Sequence, residues 1–261
     1  MRTPAMISVI VVLAIGAFVI VSRANMEKPT TDSVRMPVLV ELFTSEGCSS
    51  CPPADALIRK LEAEQPVANA EIIVLGEHVD YWNYIGWTDR FSSVAYSNRQ
   101  AEYARQFQLD SIYTPQMVVD GREELNGSDS RAAKQVIARS ADAPKVKLLI
   151  QVVENTESAL KVRISVPEPV ARPAGLLLAV TESGLETRVE RGENGGHTLY
   201  HTGVVRSLAK LGEVDGKQRG AMQETTVKLD KGWQKKKLRL VAFLQEASGR
   251  VAGAGWAPVA E

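Results

Sequence analysis

Cysteine and histidine are scarce in this chain, and neither sign of charge is in excess. The 261 residues include two cysteines and three histidines, and 31 basic residues balance 31 acidic ones. Two cysteines cannot build the multi-bridge framework of a small disulfide-rich domain. A chain without surplus lysine and arginine also lacks the electrostatic signature of nucleic-acid binding, so no nucleic acid is expected among its partners. The remaining composition, 44% hydrophobic and 24% charged, is that of a globular protein.

The first two dozen residues differ in composition from the rest. Arg2 precedes a small and apolar run over residues 5–21, which has the length of a short membrane span or a long signal-peptide core. Ser22-Arg23-Ala24 is a mediocre cleavage site, so residues 1–24 are predicted to be either a signal peptide or a membrane anchor, followed by a linker over residues 25–35. Both interpretations predict a periplasmic or secreted protein. The membrane would be contacted only through this segment, with residues 5–21 as the inner-membrane anchor if it is not cleaved.

Both cysteines lie in one short motif, Cys48-Ser49-Ser50-Cys51. The residues before it, 37–43, are apolar and β-branched enough for a buried strand, and residues 54–62 have the periodicity of an amphipathic helix. A dithiol at a strand-to-helix turn is typical of a thioredoxin-like redox site. A disulfide here closes only a small ring, which stabilises a fold little, so redox cycling explains the pair better than a structural role. An inert disulfide or half of a zinc site is the alternative.

The order of the predicted elements defines the expected fold class. Residues 36–142 show strands and helices in the order βαβαββα, which is that of a minimal thioredoxin core. Beyond a boundary near Pro144, the pattern changes to seven or eight short alternating runs separated by turn residues. We therefore predict an α/β thioredoxin-like domain over residues 36–142 and an antiparallel, all-β sandwich-like domain over residues 143–261.

Separate segments of the chain are expected to meet at one edge of the α/β sheet, because sites lie at the carboxyl ends of parallel strands. Cys48 would be the exposed nucleophile and Cys51 the more buried resolving thiol. Pro115 is a candidate cis proline that would present the Thr114 backbone to a bound peptide or mixed disulfide, the alternative being an ordinary trans proline. Pro52 fits best in a first helical turn, so the helix could begin there and its dipole would lie further from Cys48.

The loop after the second strand adds candidates for proton transfer and substrate binding. His78 and Asp80 alternate along the chain and would share a face, from which they could assist proton transfer at the cysteines. A histidine at a strand end is, however, more often a hydrogen-bonded structural residue. The aromatic residues Tyr81, Trp82, Tyr84 and Trp87 would form an apolar rim for a substrate, unless they make only a small core within their own loop. Tyr81, Trp82 and Thr114 are the predicted substrate-binding residues.

The other two histidines carry no predicted function. His197 and His201 lie four residues apart, a spacing that binds a metal ion only on a helix. Gly195-Gly196 directly before them indicates a turn instead. We predict both to be structural or surface residues.

Four motifs taken together resemble those of a known family. They are the segment from Val40 to Asp55, with its run GCSSCPPAD, then residues 78–91, residues 113–121, and the segment from His201 to Arg206. These motifs are similar to the signature of a family of secreted, thioredoxin-like bacterial proteins of unassigned function. The resemblance implies a thioredoxin fold, export and a Cys-x-x-Cys site. By analogy it implies Cys48, Cys51 and Pro115 as site residues, and it implies no substrate.

These patterns predict an exported thiol–disulfide oxidoreductase that acts on protein thiols. Cys48 would attack or be attacked, Cys51 would resolve the mixed disulfide, and Pro115 would align the partner. The partners would be protein thiols or disulfides or another redox protein; no cofactor or resident metal is expected, and the second domain would serve recognition or docking. Two other interpretations stay open: a periplasmic copper or metal carrier that uses the thiols and His78, and a non-catalytic binding protein with a vestigial dithiol.

Overall fold

Two apolar runs of the sequence become adjacent parallel strands in the middle of a large sheet. The structure is a computed structural model that describes residues 35–216 and 220–260. Strands β1 (Met36–Thr44) and β2 (Ala70–His78) pair in parallel and are buried along almost their whole length. Such continuous burial is expected of parallel strands that are covered on both faces, and it explains why both runs are almost uninterruptedly apolar.

The first part of the described chain has the order of elements that the sequence predicts. Besides β1 and β2, it contains α1 (Pro52–Glu64), α2 (Val94–Phe107), β3 (Gln116–Val119), β4 (Glu123–Asn126) and α3 (Ser130–Ala141). Two prolines open α1, where the first N–H groups need no intrahelical partner. Ser93 and Asp129 cap α2 and α3, since their side-chain oxygens accept backbone N–H groups of the first turn.

The second part of the described chain is built from short strands. They are β5 (Val146–Lys147), β6 (Leu149–Asn155), β7 (Ala159–Val166), β8 (Ala174–Glu182), β9 (Leu185–Arg188), β10 (Thr198–His201), β11 (Val204–Val214), β12 (Ala221–Lys228), β13 (Leu238–Glu246) and β14 (Val251–Pro258), with one 3-10 turn at Lys235–Lys237. None of the helices in residues 35–216 and 220–260 is long and apolar enough to cross a membrane. The signal or anchor expected at residues 1–24 lies outside the described residues and stays a prediction.

The predicted fold class is wrong. The described chain is mostly β-structure and forms one mixed nine-stranded sheet in the order β4-β3-β1-β2-β11-β8-β13-β14-β5, beside a three-stranded sheet β12-β7-β6 and the pair β10-β9. A thioredoxin-like α/β domain would end its sheet at β2, but here Val204 of β11 pairs in parallel with Gly76 of β2. Five of the strands expected to form a separate sandwich, β5, β8, β11, β13 and β14, therefore continue this sheet, and the described residues fall within one compact unit.

The hydrophobic core follows this shared sheet. One face of β1, β2 and β3 packs against α1 and α3 through residues such as Val40, Leu61 and Ile137. On the other face, residues of β1 and β2 share a cluster with Tyr96 of α2 and Phe243 of β13. A further cluster lies within the second part of the chain, between the large sheet and the three-stranded one. The cluster with Tyr96 and Phe243 contains residues of both parts of the chain. Each part therefore helps to bury apolar side chains of the other.

The junction between β2 and β11 requires close approach of two backbones. Gly203 precedes β11 with a φ of +59°, and its carbonyl oxygen accepts the N–H of Gly76 at 2.7 Å. A Cβ atom on Gly203 would lie 2.8 Å from both the Cγ2 and the carbonyl oxygen of Val74. Glycine is therefore required there for both its left-handed backbone and its lack of a side chain.

We expect Gly203→Ala to lower the free energy of unfolding by about 2 to 3 kcal/mol, from the left-handed conformation and the clash with Val74 combined. Urea unfolding followed by tryptophan fluorescence measures this change. Gly212→Ala on the same β11 strand is the control, because a Cβ atom there would meet nothing within 4 Å. Equal midpoints for the two variants would show that the junction tolerates a side chain.

Candidate functional site

The structure brings the separated candidate segments to one edge of the sheet. β1 and β2 run in parallel with Thr44 opposite His78, so both strands end at this edge. β3 runs antiparallel to β1 and begins at Gln116, directly after Pro115. The Thr114–Pro115 peptide bond is cis, as the sequence suggested. The cysteine motif, the loop after His78 and the cis proline therefore face one another.

Cys48 and Cys51 form a disulfide at the turn between β1 and α1. Cys51 is the N-cap of α1, and the helix itself begins at Pro52. This start follows from the two prolines, which lack an N–H group and are tolerated in the first turn. The positive end of the helix dipole thus lies nearer Cys51 than Cys48.

Hydroxyl groups surround the Cys48 sulfur. The Ser50 Oγ lies 3.3 Å from the Cys48 Sγ, and the Thr114 Oγ1 donates to the same sulfur at 3.3 Å. The Thr114 hydroxyl is itself fixed, because the Trp82 Nε1 donates to it at 2.8 Å. A donor chain from Trp82 through Thr114 therefore ends on the sulfur. Such donors stabilise a thiolate more than a thiol.

The expectation that Cys48 is exposed is wrong, since both cysteines have 0% relative exposure. The loop between β9 and β10, in the second part of the chain, reaches over the cysteine motif. The Asn194 side chain donates to the carbonyl oxygens of Glu46 at 2.9 Å and Cys48 at 3.0 Å. The Ser49 N–H donates to the Glu193 carboxylate at 3.1 Å. Hydrogen bonding from the Ser49 side chain, and then from this N–H group, lowers the pKa of Glu193. A distant part of the sequence is thus hydrogen-bonded to the backbone of the cysteine motif.

His78 is paired with the carboxylate of Asp89, a residue that the sequence did not single out. Its Nδ1 lies 2.6 Å from the Asp89 Oδ2, and both side chains are buried. Burial opposes protonation of the ring, but the Asp89 carboxylate outweighs it and raises the pKa of His78. The pKa of Asp89 is lowered despite burial, through His78 and through the N–H groups of Glu46 and Phe91. Both shifts favour the charged forms of this buried pair.

Asp80, predicted to share a face with His78, faces α2 instead. Its backbone N–H donates to the Ser97 hydroxyl, and this hydroxyl donates to the Asp80 carboxylate. The prediction assumed that an extended chain continues past His78. β2 ends at His78, however, so the alternation of faces stops there.

Sequence reasoning missed a second buried histidine at this site. His201, predicted to be structural or on the surface, is 2% exposed at the end of β10. Its Nε2 lies 3.3 Å from the Glu46 Oε1, and its ring centre is 4.9 Å from that of His78. The Trp87 Nε1 donates to the other Glu46 oxygen at 2.8 Å. The sequence did contain a signal for these residues, because Glu46 and His201 are polar residues within otherwise apolar motifs.

Tyr81, one of the predicted substrate-binding residues, is half-buried, and its hydroxyl donates to Gln100 at 3.0 Å. Burial raises the pKa of Tyr81 to about 12. Trp82 is half-buried as well and holds Thr114 as described above. In the part of the chain that the structure describes, no group of three His, Cys, Asp or Glu side chains is arranged to hold a metal ion. The copper-carrier interpretation stays a hypothesis.

Comparison with known proteins gives a family and a relative of known structure. The model of a family described as a protein of unknown function (DUF1223) matches residues 39–245. A crystal structure of a protein from Agrobacterium tumefaciens is 28% identical, covers 87% of this chain and 96% of its own, and superposes with a TM-score of 0.67. No curated protein matches the chain.

Two other solved structures resemble only a part of the chain. The solution structure of CsgH from R. palustris is 10% identical, covers 44% of this chain and 92% of its own, and has a TM-score of 0.20. A putative beta-galactosidase from Bacteroides fragilis is 18% identical, covers 44% of this chain and 16% of its own, and has a TM-score of 0.22. Such low scores carry no functional argument.

Proposed function

The chain belongs to the family of unknown function DUF1223, and we propose that it is an exported oxidoreductase that exchanges its Cys48–Cys51 disulfide with protein thiols. The observation that carries this proposal is the disulfide itself. The only two cysteines of the sequence form it at a strand-to-helix turn, with two hydroxyl groups beside the Cys48 sulfur. The proposal of export is supported by the apolar run over residues 5–21.

The reaction would proceed in two exchange steps. In the first, a partner thiolate attacks the Cys48 sulfur, the Cys48–Cys51 bond breaks, and Cys51 leaves as a thiolate. In the second, another thiolate of the partner attacks the partner sulfur of this mixed disulfide, and Cys48 leaves as a thiolate. The partner has then lost two electrons to the chain and holds the new disulfide. The reverse sequence would reduce a partner disulfide.

The surroundings of Cys48 fit its role as the exchanging sulfur. In the second step Cys48 is the leaving group, and a thiolate that is stabilised leaves faster. The hydroxyl of Thr114 would supply that stabilisation, and Trp82 holds this hydroxyl in place. Cys51 would remain at the start of α1 as the resolving thiol.

The partner would approach from the side of the cis proline. Thr114 and Pro115 lie beside Cys48, and the Thr114 carbonyl oxygen is 3.9 Å from the Cys48 sulfur. The half-buried rings of Tyr81 and Trp82 would form the apolar rim for a peptide. Cys48 is fully buried, so its neighbours would have to move for the sulfur to become accessible, and the loop of Glu193 and Asn194, which hydrogen-bonds to the backbone of the motif, would be the segment that moves.

We expect the Cys48–Cys51 pair to be reduced and reoxidised reversibly in glutathione or dithiothreitol buffers, and its reduction potential is the first measurement to make. A potential of roughly −120 to −200 mV would indicate an oxidase or isomerase, and one near about −270 mV a reductase. Alkylation of free thiols followed by mass spectrometry gives the oxidised fraction in each buffer. A pair that does not re-form its disulfide after reduction would contradict the proposal.

A further inference from the structure

The loop that contacts the cysteine motif is closed at its base. It spans residues 189–197, between β9 and β10. The Val189 N–H donates to the His197 carbonyl oxygen at 2.9 Å, and the Gly196 N–H donates to the Val189 carbonyl oxygen at 2.8 Å. Because these bonds join the two ends of the segment, we expect the 189–197 loop to move as a unit.

Two neighbouring residues hold this loop on the motif in different ways. Asn194 is 6% exposed, and its side chain makes the two hydrogen bonds to the carbonyl oxygens of Glu46 and Cys48. Glu193 is exposed, and one of its carboxylate oxygens lies 3.1 Å from the backbone nitrogen of Ser49. Asn194 is therefore a buried anchor, whereas an approaching partner can reach the Glu193 carboxylate.

Glu193 places a negative charge next to the exchanging cysteine. Ser49, to which its carboxylate is hydrogen-bonded, directly follows Cys48 in the chain. Hydrogen bonding from Ser49 lowers the pKa of Glu193, so the carboxylate is ionised at neutral pH. The exposed Glu and Arg side chains of the 189–197 loop are Glu190, Arg191 and Glu193, and Glu193 is the one that is hydrogen-bonded to the cysteine motif. A cation that arrives here is attracted, and an anion is repelled.

Building on the proposed function, we propose that Glu193 is a specificity-determining residue that favours partner cysteines flanked by lysine or arginine. The 189–197 loop has to move before a partner reaches the buried Cys48 sulfur. A lysine or arginine beside the partner cysteine would pair with the Glu193 carboxylate in place of the Ser49 N–H, which removes one contact that holds the loop. A partner with an acidic group there cannot make this exchange.

Three small thiols that differ in charge serve as probes. Cysteamine carries an ammonium group, 2-mercaptoethanol carries no charged group besides its thiolate, and 2-mercaptoethanesulfonate carries a sulfonate. Each reduces the chain in the same two steps. One probe thiolate attacks the Cys48 sulfur and Cys51 leaves as a thiolate; a second then attacks the bound probe sulfur, and Cys48 leaves. Two electrons pass to the cysteine pair, the probe becomes its disulfide, and the protons that the probe thiols lose return to the two thiolates of the chain.

The test compares the initial rates of disulfide loss with the three probes on the whole chain, at low salt. Free thiols are alkylated at each time and counted by mass spectrometry. The decisive quantity is the ratio of the cysteamine rate to the sulfonate rate, because a more mobile loop would raise all three rates alike. We expect Glu193→Gln to lower this ratio about tenfold, about threefold from each probe, as for a unit charge several Å away in water. Glu193→Lys should lower it further, and about 1 M NaCl should largely remove the effect by screening.

Glu190→Gln is the matched control, because it removes the same charge from an exposed residue of the same loop. It should leave the ratio nearly unchanged. An equal ratio in Glu193→Gln and the unaltered chain would overturn the inference, even if all three rates rose together. A ratio lowered as much by Glu190→Gln, or lowered equally at high salt, would overturn it too. Failure of all three thiols to reduce the disulfide would refute the proposed function itself, whereas reduction at rates that ignore the charge at position 193 would refute only the selectivity.

Discussion

Replacing Cys48 with serine is expected to abolish thiol–disulfide exchange, with no measurable activity above the uncatalysed rate. The Cys48 sulfur is the one that Thr114 and Ser50 surround with hydroxyl groups, and a serine oxygen cannot form the mixed disulfide. Cys51→Ser should behave differently, because Cys48 could still attack a partner disulfide but the product could not be resolved. Catalysed reoxidation of a reduced, disulfide-containing substrate protein measures the first effect. Mass spectrometry of the trapped mixed disulfide measures the second.

Ser49→Ala is the control for this pair of variants. Ser49 lies in the same motif and is exposed, and its backbone N–H would still donate to Glu193. It should therefore retain activity. Full exchange activity in Cys48→Ser would count decisively against the proposed function. An equal amount of mixed disulfide from Cys48→Ser and Cys51→Ser would instead mean that the roles of the two cysteines are assigned wrongly.

The order of elements up to α3 could be predicted from the sequence because it depends on local patterns. The continuous apolar runs of β1 and β2 and the helical period of α1 are each contained in a dozen residues or so. The fold class could not be predicted from the sequence, since it depends on which strand lies beside β2. Apolar residues on both faces show that β2 is buried, but they do not identify its neighbour. That neighbour, β11, is contributed by a segment far along the chain.

The same distinction applies to the candidate site. The cysteine motif, His78 and the Thr114–Pro115 bond follow strand ends, so a rule about sheet edges could bring them together. His201 and Asn194 could not be included, because the second part of the chain was expected to form its own domain. The exposure of Cys48 was predicted wrongly without knowledge of this contact, since the Asn194 loop that hydrogen-bonds to the Cys48 backbone comes from that part. The sequence did contain a signal for His201. A histidine at the end of a β-pattern, next to Thr202-Gly203, has no obvious structural role there.

Arg99→Leu is expected to have the largest effect on stability, a loss of about 3 to 5 kcal/mol, because it removes one partner of a buried charge network. The Arg99 Nε lies 2.6 Å from Glu41 and 3.4 Å from Glu77, and both carboxylates are fully buried. Its other nitrogens donate to Gln245 and Tyr103. Without the guanidinium, the Glu41 carboxylate keeps the Tyr103 hydroxyl, at 2.6 Å, but no positively charged partner in the part of the chain that the structure describes. Urea unfolding with linear extrapolation measures the loss.

The loss should also grow as the pH rises, and this dependence separates a charge effect from lost packing. Burial, and then the neighbouring Glu41, raise the pKa of Glu77 well above its usual value, while Arg99 lowers it. A carboxyl group with a raised pKa binds more protons in the folded state, so its contribution to stability is present below about pH 4.5 and is lost as the pH rises. Removing Arg99 raises that pKa further, so Arg99→Leu should be less destabilising at pH 5 than at pH 8. Arg105→Leu, an exposed position on the same helix, should cost little at either pH. A loss in Arg99→Leu that is independent of pH would show that the arginine stabilises the fold by packing its side chain rather than by pairing the two carboxylates.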